Sequence, residues 1–100
     1  MKKVSIVTVN YNHSHVTDEL LDSIAVKNTY PNIEIIVVDN ASKVNPVPVW
    51  ITKYPNVTFI RSEVNLGFAG GNNLGINAAT GDYFFLVNND TLFSFRIVES

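Results

Sequence analysis

Four short apolar runs alternate along the chain with segments of helical spacing. The runs are Val4–Val9, Ile33–Val38, Val57–Ile60 and Tyr83–Val87. Runs of this length, bounded by turn residues, predict strands. Strands that alternate with helices pair in parallel through right-handed crossovers. We therefore expect an α/β fold with a parallel sheet of about four strands in the order 3-2-1-4 and helices on both faces.

The fourth run is apolar from Tyr83 to Val87 and then changes abruptly to Asn88-Asn89-Asp90-Thr91. Five apolar residues in a row predict a strand that is buried on both faces. The polar residues would then lie at the carboxyl end of the strand, where open α/β sheets bind ligands, and the Asp90 carboxylate would suit a hard cation. An Asn/Asp turn after a strand selects the same residue types, so this stretch alone leaves both interpretations open.

The three connecting segments carry the start and stop signals of helices. The first has Ser14 as a plausible N-cap and ends near Asn28. The second is short and closes at Pro55, while the third opens at Gly70 and runs to about Ala79. N-cap residues at the start, and proline or glycine near an end, are the local features that bound helices.

Composition limits the classes of function. The chain has 100 residues, 46% of them hydrophobic, which predicts one domain over residues 1–100 or part of a larger one. The net charge of −2 without a basic run argues against a nucleic-acid surface, and the lack of cysteine excludes thiolate metal sites. The first apolar run is too short for a signal peptide or a membrane span. We expect a cytoplasmic location, at most peripheral at the inner membrane face.

Polar residues follow three of the predicted strands and should converge on one edge of the sheet. Tyr11 follows the first strand and could stack on a nucleobase, although loop aromatics more often cover the core. Asp39 follows the second strand and could accept from a base or a ribose, or it could form an Asx turn before Ser42. The Asn88-Asn89-Asp90 segment follows the fourth strand.

A glycine-rich segment, Gly67-Phe68-Ala69-Gly70-Gly71, precedes the third helix. Glycines at a helix start allow a phosphate to approach the backbone, although close helix–sheet packing selects glycine as well. The segment has neither the dinucleotide fingerprint nor the Walker A pattern. This absence counts against a dinucleotide-dependent oxidoreductase.

Taken together, the motifs resemble those of the family 2 glycosyltransferases, particularly the rhamnosyltransferase-like branch. The similar segments follow one another in order over nearly the whole chain: residues 4–12, 35–42, 65–76, 79–83 and 86–91. The resemblance implies a Rossmann-like GT-A fold that binds a nucleotide-diphosphate sugar, and we expect a sugar linked to UDP or dTDP.

The resemblance also assigns roles to individual residues. Tyr11 and Asp39 would bind the nucleobase, Asn73 would belong to the nucleotide site, and Asn89 would lie near the ribose. Asp90 would hold a divalent metal, Mn²⁺ or Mg²⁺, on the diphosphate. Such a metal offsets the negative charge that the leaving nucleoside diphosphate gains.

The family resemblance implies inverting transfer to an acceptor hydroxyl of a saccharide or a lipid-linked acceptor, as in polysaccharide biosynthesis. That reaction needs a general base, which in the family lies well beyond the Asp90 strand. We therefore expect the base and the acceptor half to be missing from a truncated chain that is inactive alone. The alternative is a non-catalytic nucleotide-binding module. An open sheet edge is compatible with a homo-oligomer.

Overall fold

The computed structural model describes residues 2–28 and 30–87 and contains a four-stranded parallel sheet. The elements are β1 (Val4–Asn10), α1 (Ser14–Lys27), β2 (Ile33–Asn40), α2 (Val47–Lys53), β3 (Thr58–Ser62), α3 (Gly67–Ala78) and β4 (Tyr83–Leu86). The strand order is β3-β2-β1-β4. The α/β class and the 3-2-1-4 order expected from the sequence are confirmed. In the described part of the chain, no helix is both long and apolar enough to cross a membrane.

Helices α1 and α2 cover one face of the sheet. Leu20 and Ile24 of α1 pack with Val4 and Ile6 of β1, and all four side chains are buried. Leu21 and Trp50 join Val37 in a second cluster, where Trp50 stacks on Phe59 with ring centroids 5.2 Å apart. The helical spacing of the apolar residues in α1 accounts for this contact, because it places them on one side of the helix.

Helix α3 covers the opposite face, where Val7, Ile36 and Val38 form a third buried cluster with Leu74 against it. The helix lies very close to the sheet at Gly75. A Cβ at this position would lie 2.4 Å from Val7 Cγ1 and 3.2 Å from Val38 Cγ2. Glycine is therefore needed for the close approach of α3, and helices on both faces are confirmed.

The strands extend into the polar residues that were expected to follow them. β1 ends at Asn10 rather than Val9, and β2 includes Asp39 and Asn40. Backbone pairing continues through these positions, with Asn10 opposite Asp39. Because rigid strands hold the polar side chains, their positions at the edge of the sheet are set by strand register.

Three sequence expectations about individual elements were wrong. β4 is not buried on both faces, since Tyr83, Phe84 and Leu86 are 57%, 47% and 51% exposed. It pairs with β1 alone among the described strands. His13, rather than Ser14, occupies the N-cap of α1, and its carbonyl oxygen accepts from backbone N–H groups in the first turn. Helix α3 begins at Gly67 rather than Gly70.

A hydrogen-bonded cluster fixes the amino-terminal edge of the sheet. The Glu34 carboxylate accepts from the Thr80 backbone N–H at 2.8 Å and from the Ser5 hydroxyl at 2.7 Å, and Lys3 Nζ lies 3.7 Å from it. Burial acts to raise the pKa of Glu34, but the bonds from Thr80 and Ser5, together with the charge of Lys3, lower that pKa below its ordinary value. The cluster fixes the connection between α3 and β4.

Candidate functional site

Three polar side chains form a row across the carboxyl edge of the sheet. Asn10 on β1 is in register with Asp39 on β2, and Asp39 is in register with Arg61 on β3. Residues in register on neighbouring strands point to the same face. The row lies on the face covered by α1, because the Thr17 hydroxyl donates to Asn10 Oδ1 at 3.0 Å.

Asp39 is the centre of this row and is fully buried. Its Oδ1 accepts from Asn10 Nδ2 at 2.9 Å and from Ser42 Oγ at 2.6 Å. Its Oδ2 accepts from the Ser42 backbone N–H at 3.1 Å and from Arg61 Nη1, which forms an ion pair with it. The contacts between Asp39 and Ser42 are those of an Asx turn. The positive charge of Arg61 neutralises the Asp39 carboxylate. Buried carboxylates require this kind of partner.

The loops after β1 and β2 are joined by hydrogen bonds. The Asn12 backbone N–H donates to Ser42 Oγ at 2.8 Å, and the Lys43 backbone N–H donates to Asn12 Oδ1 at 2.8 Å. Asn12 and Ala41 both have positive φ, 58° and 64°. A left-handed conformation is unfavourable for alanine, so Ala41 is held there by the contacts around it. Asp39, through Ser42, thereby fixes the backbone next to Tyr11.

Asn40 forms a second set of contacts on the opposite face and fixes the start of α3. Its Nδ2 donates to Asn65 Oδ1 at 3.0 Å and to the Gly67 carbonyl oxygen at 2.9 Å. Its Oδ1 accepts from the Leu66 backbone N–H at 2.9 Å. Asn40 is 3% exposed. These three bonds hold the amino-terminal end of α3 against the end of β2.

An open cavity of about 360 Å³ lies between the β1 loop and the start of α3. It is lined by Val9, Tyr11, His13, Asn40, Asn65, Gly67 and Phe68. Tyr11 and Phe68 are 44% and 61% exposed, so both rings are accessible to a planar group. The positive end of the α3 dipole lies beside the cavity, where it favours an anion such as phosphate. The volume is within the range of small-molecule sites.

The structure brings only some of the predicted site residues together. Tyr11 lines the cavity, whereas Asp39 is close in the fold but does not line it. Asn73 is exposed on α3, and its neighbour Asn72 is buried. Asn89 and Asp90 lie outside the described residues.

Two residues with prominent contacts were not predicted from the sequence. No role was predicted for Arg61, and Asn40 was only expected to follow the second strand. The available signal was strand register: if β2 and β3 pair in parallel, Arg61 comes opposite Asp39. Such a cation beside a buried acid indicates an ion pair.

The described part of the chain contains no group of side chains arranged to bind a divalent metal. Residues 2–28 and 30–87 contain no group of three His, Cys, Asp or Glu side chains arranged to hold one. The Asp39 oxygens are already occupied by four donors. The predicted ligand Asp90 lies beyond these residues, so the described part alone does not fit the metal.

The fold and this edge of the sheet define an α/β domain of the kind that binds ligands at the carboxyl ends of parallel strands. A family model described as "Glycosyl transferase family 2" matches residues 5–99. The chain therefore belongs to glycosyltransferase family 2, a family of enzymes.

A relative of known sequence extends this comparison. The uncharacterized glycosyltransferase YwdF of Bacillus subtilis is 36% identical over 92 residues, which cover 92% of this chain and 34% of the relative. The chain thus spans about a third of that relative's length.

Two solved structures have the same fold. The mannosyltransferase PcManGT from Pyrobaculum calidifontis, in complex with GDP-Man and Mn²⁺, has a TM-score of 0.83 and 25% identity, covering 97% of this chain and 30% of that one. TarS 1-349 of S. aureus, in complex with UDP-GlcNAc, has a TM-score of 0.83 and 27% identity, covering 97% and 29%. These matches confirm the Rossmann-like GT-A fold. They do not specify the rhamnosyltransferase-like branch.

Proposed function

We propose that this chain is the donor-binding part of an inverting glycosyltransferase that uses a nucleotide-diphosphate sugar. The observation that carries the proposal is the cavity between Tyr11 and Phe68, at the carboxyl edge of the sheet and beside the start of α3. Its two exposed aromatic rings suit a nucleobase, since bases stack on aromatic faces. The helix start suits the diphosphate. Two neighbours in fold are described as complexes with UDP-GlcNAc and with GDP-Man, which supports a donor of this class.

The residue roles follow the family pattern. Tyr11 and Asp39 bind the base, Asn73 belongs to the nucleotide site, and Asn89 lies near the ribose. Asp90 would hold Mn²⁺ or Mg²⁺, and such a metal would supply positive charge to the diphosphate leaving group. The Mn²⁺ in the PcManGT complex supports a divalent metal in the family.

The acceptor and the general base belong to the rest of the enzyme in this proposal. The chain spans about a third of the YwdF relative, which leaves room for an acceptor half elsewhere in the protein. We propose that residues 1–100 form one nucleotide-sugar-binding domain of a cytoplasmic enzyme, peripheral at the inner membrane face. The acceptor is a saccharide or a lipid-linked saccharide, and the donor carries uracil or thymine.

Calorimetric titration of UDP, dTDP and GDP, each with and without Mn²⁺, tests the proposal. We expect metal-dependent binding of one diphosphate and at least a tenfold loss of affinity in Asp90→Asn, which keeps the side-chain shape but removes the charge. Asp82→Asn is the matched control, because Asp82 is an exposed carboxylate at the opposite edge. It should bind like the native protein.

Two results would contradict the proposal in different ways. Tight binding that ignores both Mn²⁺ and the Asp90 substitution would indicate a non-catalytic nucleotide module. A folded protein that binds none of the three diphosphates would refute the donor site itself.

A further inference from the structure

The Asp39 carboxylate is saturated with hydrogen bonds. A carboxylate offers about four lone-pair positions. Oδ1 accepts from Asn10 Nδ2 and Ser42 Oγ, while Oδ2 accepts from the Ser42 backbone N–H and Arg61 Nη1. Asp39 has no exposed surface. A nucleobase N–H that is to bind Asp39 must therefore replace one of these four donors.

The donors differ in what their release would cost. Ser42 and Asn10 are both buried, and Ser42 also holds Asn12 in place. Asn10 Nδ2 also donates to Ser42 Oγ at 3.3 Å, so displacing Asn10 would disturb Ser42 as well. Releasing Ser42 would take the Asp39 acceptor from its buried backbone N–H, which is costly. It would also open the contact between the two loops.

Arg61 can leave Asp39 more easily. Its side chain is 18% exposed, so water can solvate a released guanidinium. A second carboxylate is already within reach, since Glu63 Oε1 lies 3.6 Å from Arg61 Nε and the Glu63 side chain is 82% exposed. Arg61 Nη2 also donates to the Ser42 carbonyl oxygen at 3.1 Å. Part of the anchoring of Arg61 therefore does not depend on Asp39.

We propose that Arg61 is a competing occupant of Asp39 that the base displaces, and that it thereby determines base specificity. The inference rests on the proposed function, in which Asp39 binds the base. A base with a ring N–H on its pairing edge, such as uracil or thymine, replaces one donor to Oδ2 with another, so that the oxygen stays hydrogen-bonded while Arg61 moves towards Glu63. Cytosine and adenine present a ring nitrogen acceptor at the corresponding place, so displacing Arg61 with that ring position against Asp39 would leave Oδ2 without a donor.

Two ligands and two variants of the protein test this exchange by calorimetry. The ligands are UDP and N3-methyl-UDP, which differ in the one N–H that would reach Asp39. Arg61→Met removes the competing donors while keeping a long side chain. Lys53→Met is the matched control, because Lys53 lies on α2, away from this edge, where its Nζ is 3.7 Å from a carboxylate oxygen of Asp18.

We expect Arg61→Met to bind UDP at least about fivefold more tightly than the native protein, because binding no longer has to break an ion pair with the buried Asp39. Affinity for N3-methyl-UDP should not change, and Lys53→Met should alter neither affinity. If Arg61 contributed to folding alone, Arg61→Met would change the affinities for both ligands by the same factor. If Arg61→Met does not fold, Arg61→Lys takes its place, because it keeps the charge but loses the forked geometry. It should tighten UDP binding about twofold.

The outcomes separate this inference from the proposed function. Unchanged or weaker UDP binding in the Arg61 variant, with a native protein that binds UDP, would overturn the competing role of Arg61 alone. Equal tightening of both ligands would also overturn it. A native protein that binds no diphosphate at all would overturn the proposed function, and this inference with it.

Discussion

Gly75→Ala is the most direct test of how α3 is placed against the sheet. The new Cβ would lie 2.4 Å from Val7 Cγ1 and 3.2 Å from Val38 Cγ2. Both valines are fully buried, so neither has free space into which to move. The added methyl group must push the helix away from the sheet or force a valine out of its rotamer.

Two opposing terms set the size of the effect. Alanine in place of glycine within a helix stabilises by about 1 kcal/mol. Overpacking of a well-packed core costs about 1–3 kcal/mol, and the 2.4 Å approach indicates the upper end of that range. We expect a net loss of about 2 kcal/mol in the free energy of unfolding, a factor of about 30 in the folding equilibrium.

Urea denaturation followed by circular dichroism measures this loss, with Asn77→Ala as the control. Asn77 is exposed on the same helix, so its replacement should stabilise the protein by about 0.5 kcal/mol through helix propensity alone. The double variant Val7→Ala/Gly75→Ala removes the clashing methyl groups and should show a coupling energy of about 2 kcal/mol. A Gly75→Ala protein as stable as the native one would refute the close-approach argument.

Two further predictions concern the hydrogen bonds on either side of the sheet. Trp50→Phe should lower the free energy of unfolding by about 3 kcal/mol in the same urea experiment, because it removes the 2.7 Å hydrogen bond from Trp50 Nε1 to Asp18 and part of a buried ring. Asp18→Asn keeps an acceptor for this hydrogen bond and should lower the free energy of unfolding less. Burial acts to raise the pKa of Glu34, but the hydrogen bonds from Thr80 and Ser5 and the charge of Lys3 lower it below its ordinary value of 4.5. The stabilising contribution of Glu34 is therefore present above pH 4.5 and is lost as the pH falls through the pKa of the folded state. Glu34→Gln should therefore lose less stability than the native protein between pH 5 and pH 3 in urea titrations, and an equal loss in both would contradict this assignment.

The sequence allowed the arrangement of strands to be predicted because the physical constraints were local or topological. β-Branched runs such as those in β1 and β2 need burial, and right-handed crossovers then leave few possible strand orders. The burial of β4 was not predictable in the same way. Its aromatic residues indicated a covered strand, but burial depends on which elements lie beside it, and β1 is its one partner in the described part of the chain.

The candidate site was harder to predict because its contacts are distant in sequence. Tyr11 could be placed near the edge, since it follows a strand, but the saturation of Asp39 depends on Arg61, which is 22 positions away in the chain. Periodicity gives no information about which side chains meet across two strands. Only the pairing register brings Asn10, Asp39 and Arg61 into one row.

This row relates the folding of the domain to the chemistry proposed for it. A buried carboxylate in an apolar sheet is unfavourable without donors, so Asn10, Ser42 and Arg61 all stabilise the fold in the absence of a ligand. Among these three residues, Arg61 alone has a partly exposed side chain with a second acid beside it. In the proposed exchange, a ligand N–H replaces Arg61 while the loop contacts made by Ser42 stay intact. Under this proposal, stability and base recognition depend on the same carboxylate, and exchange of Arg61 lets one side chain serve both.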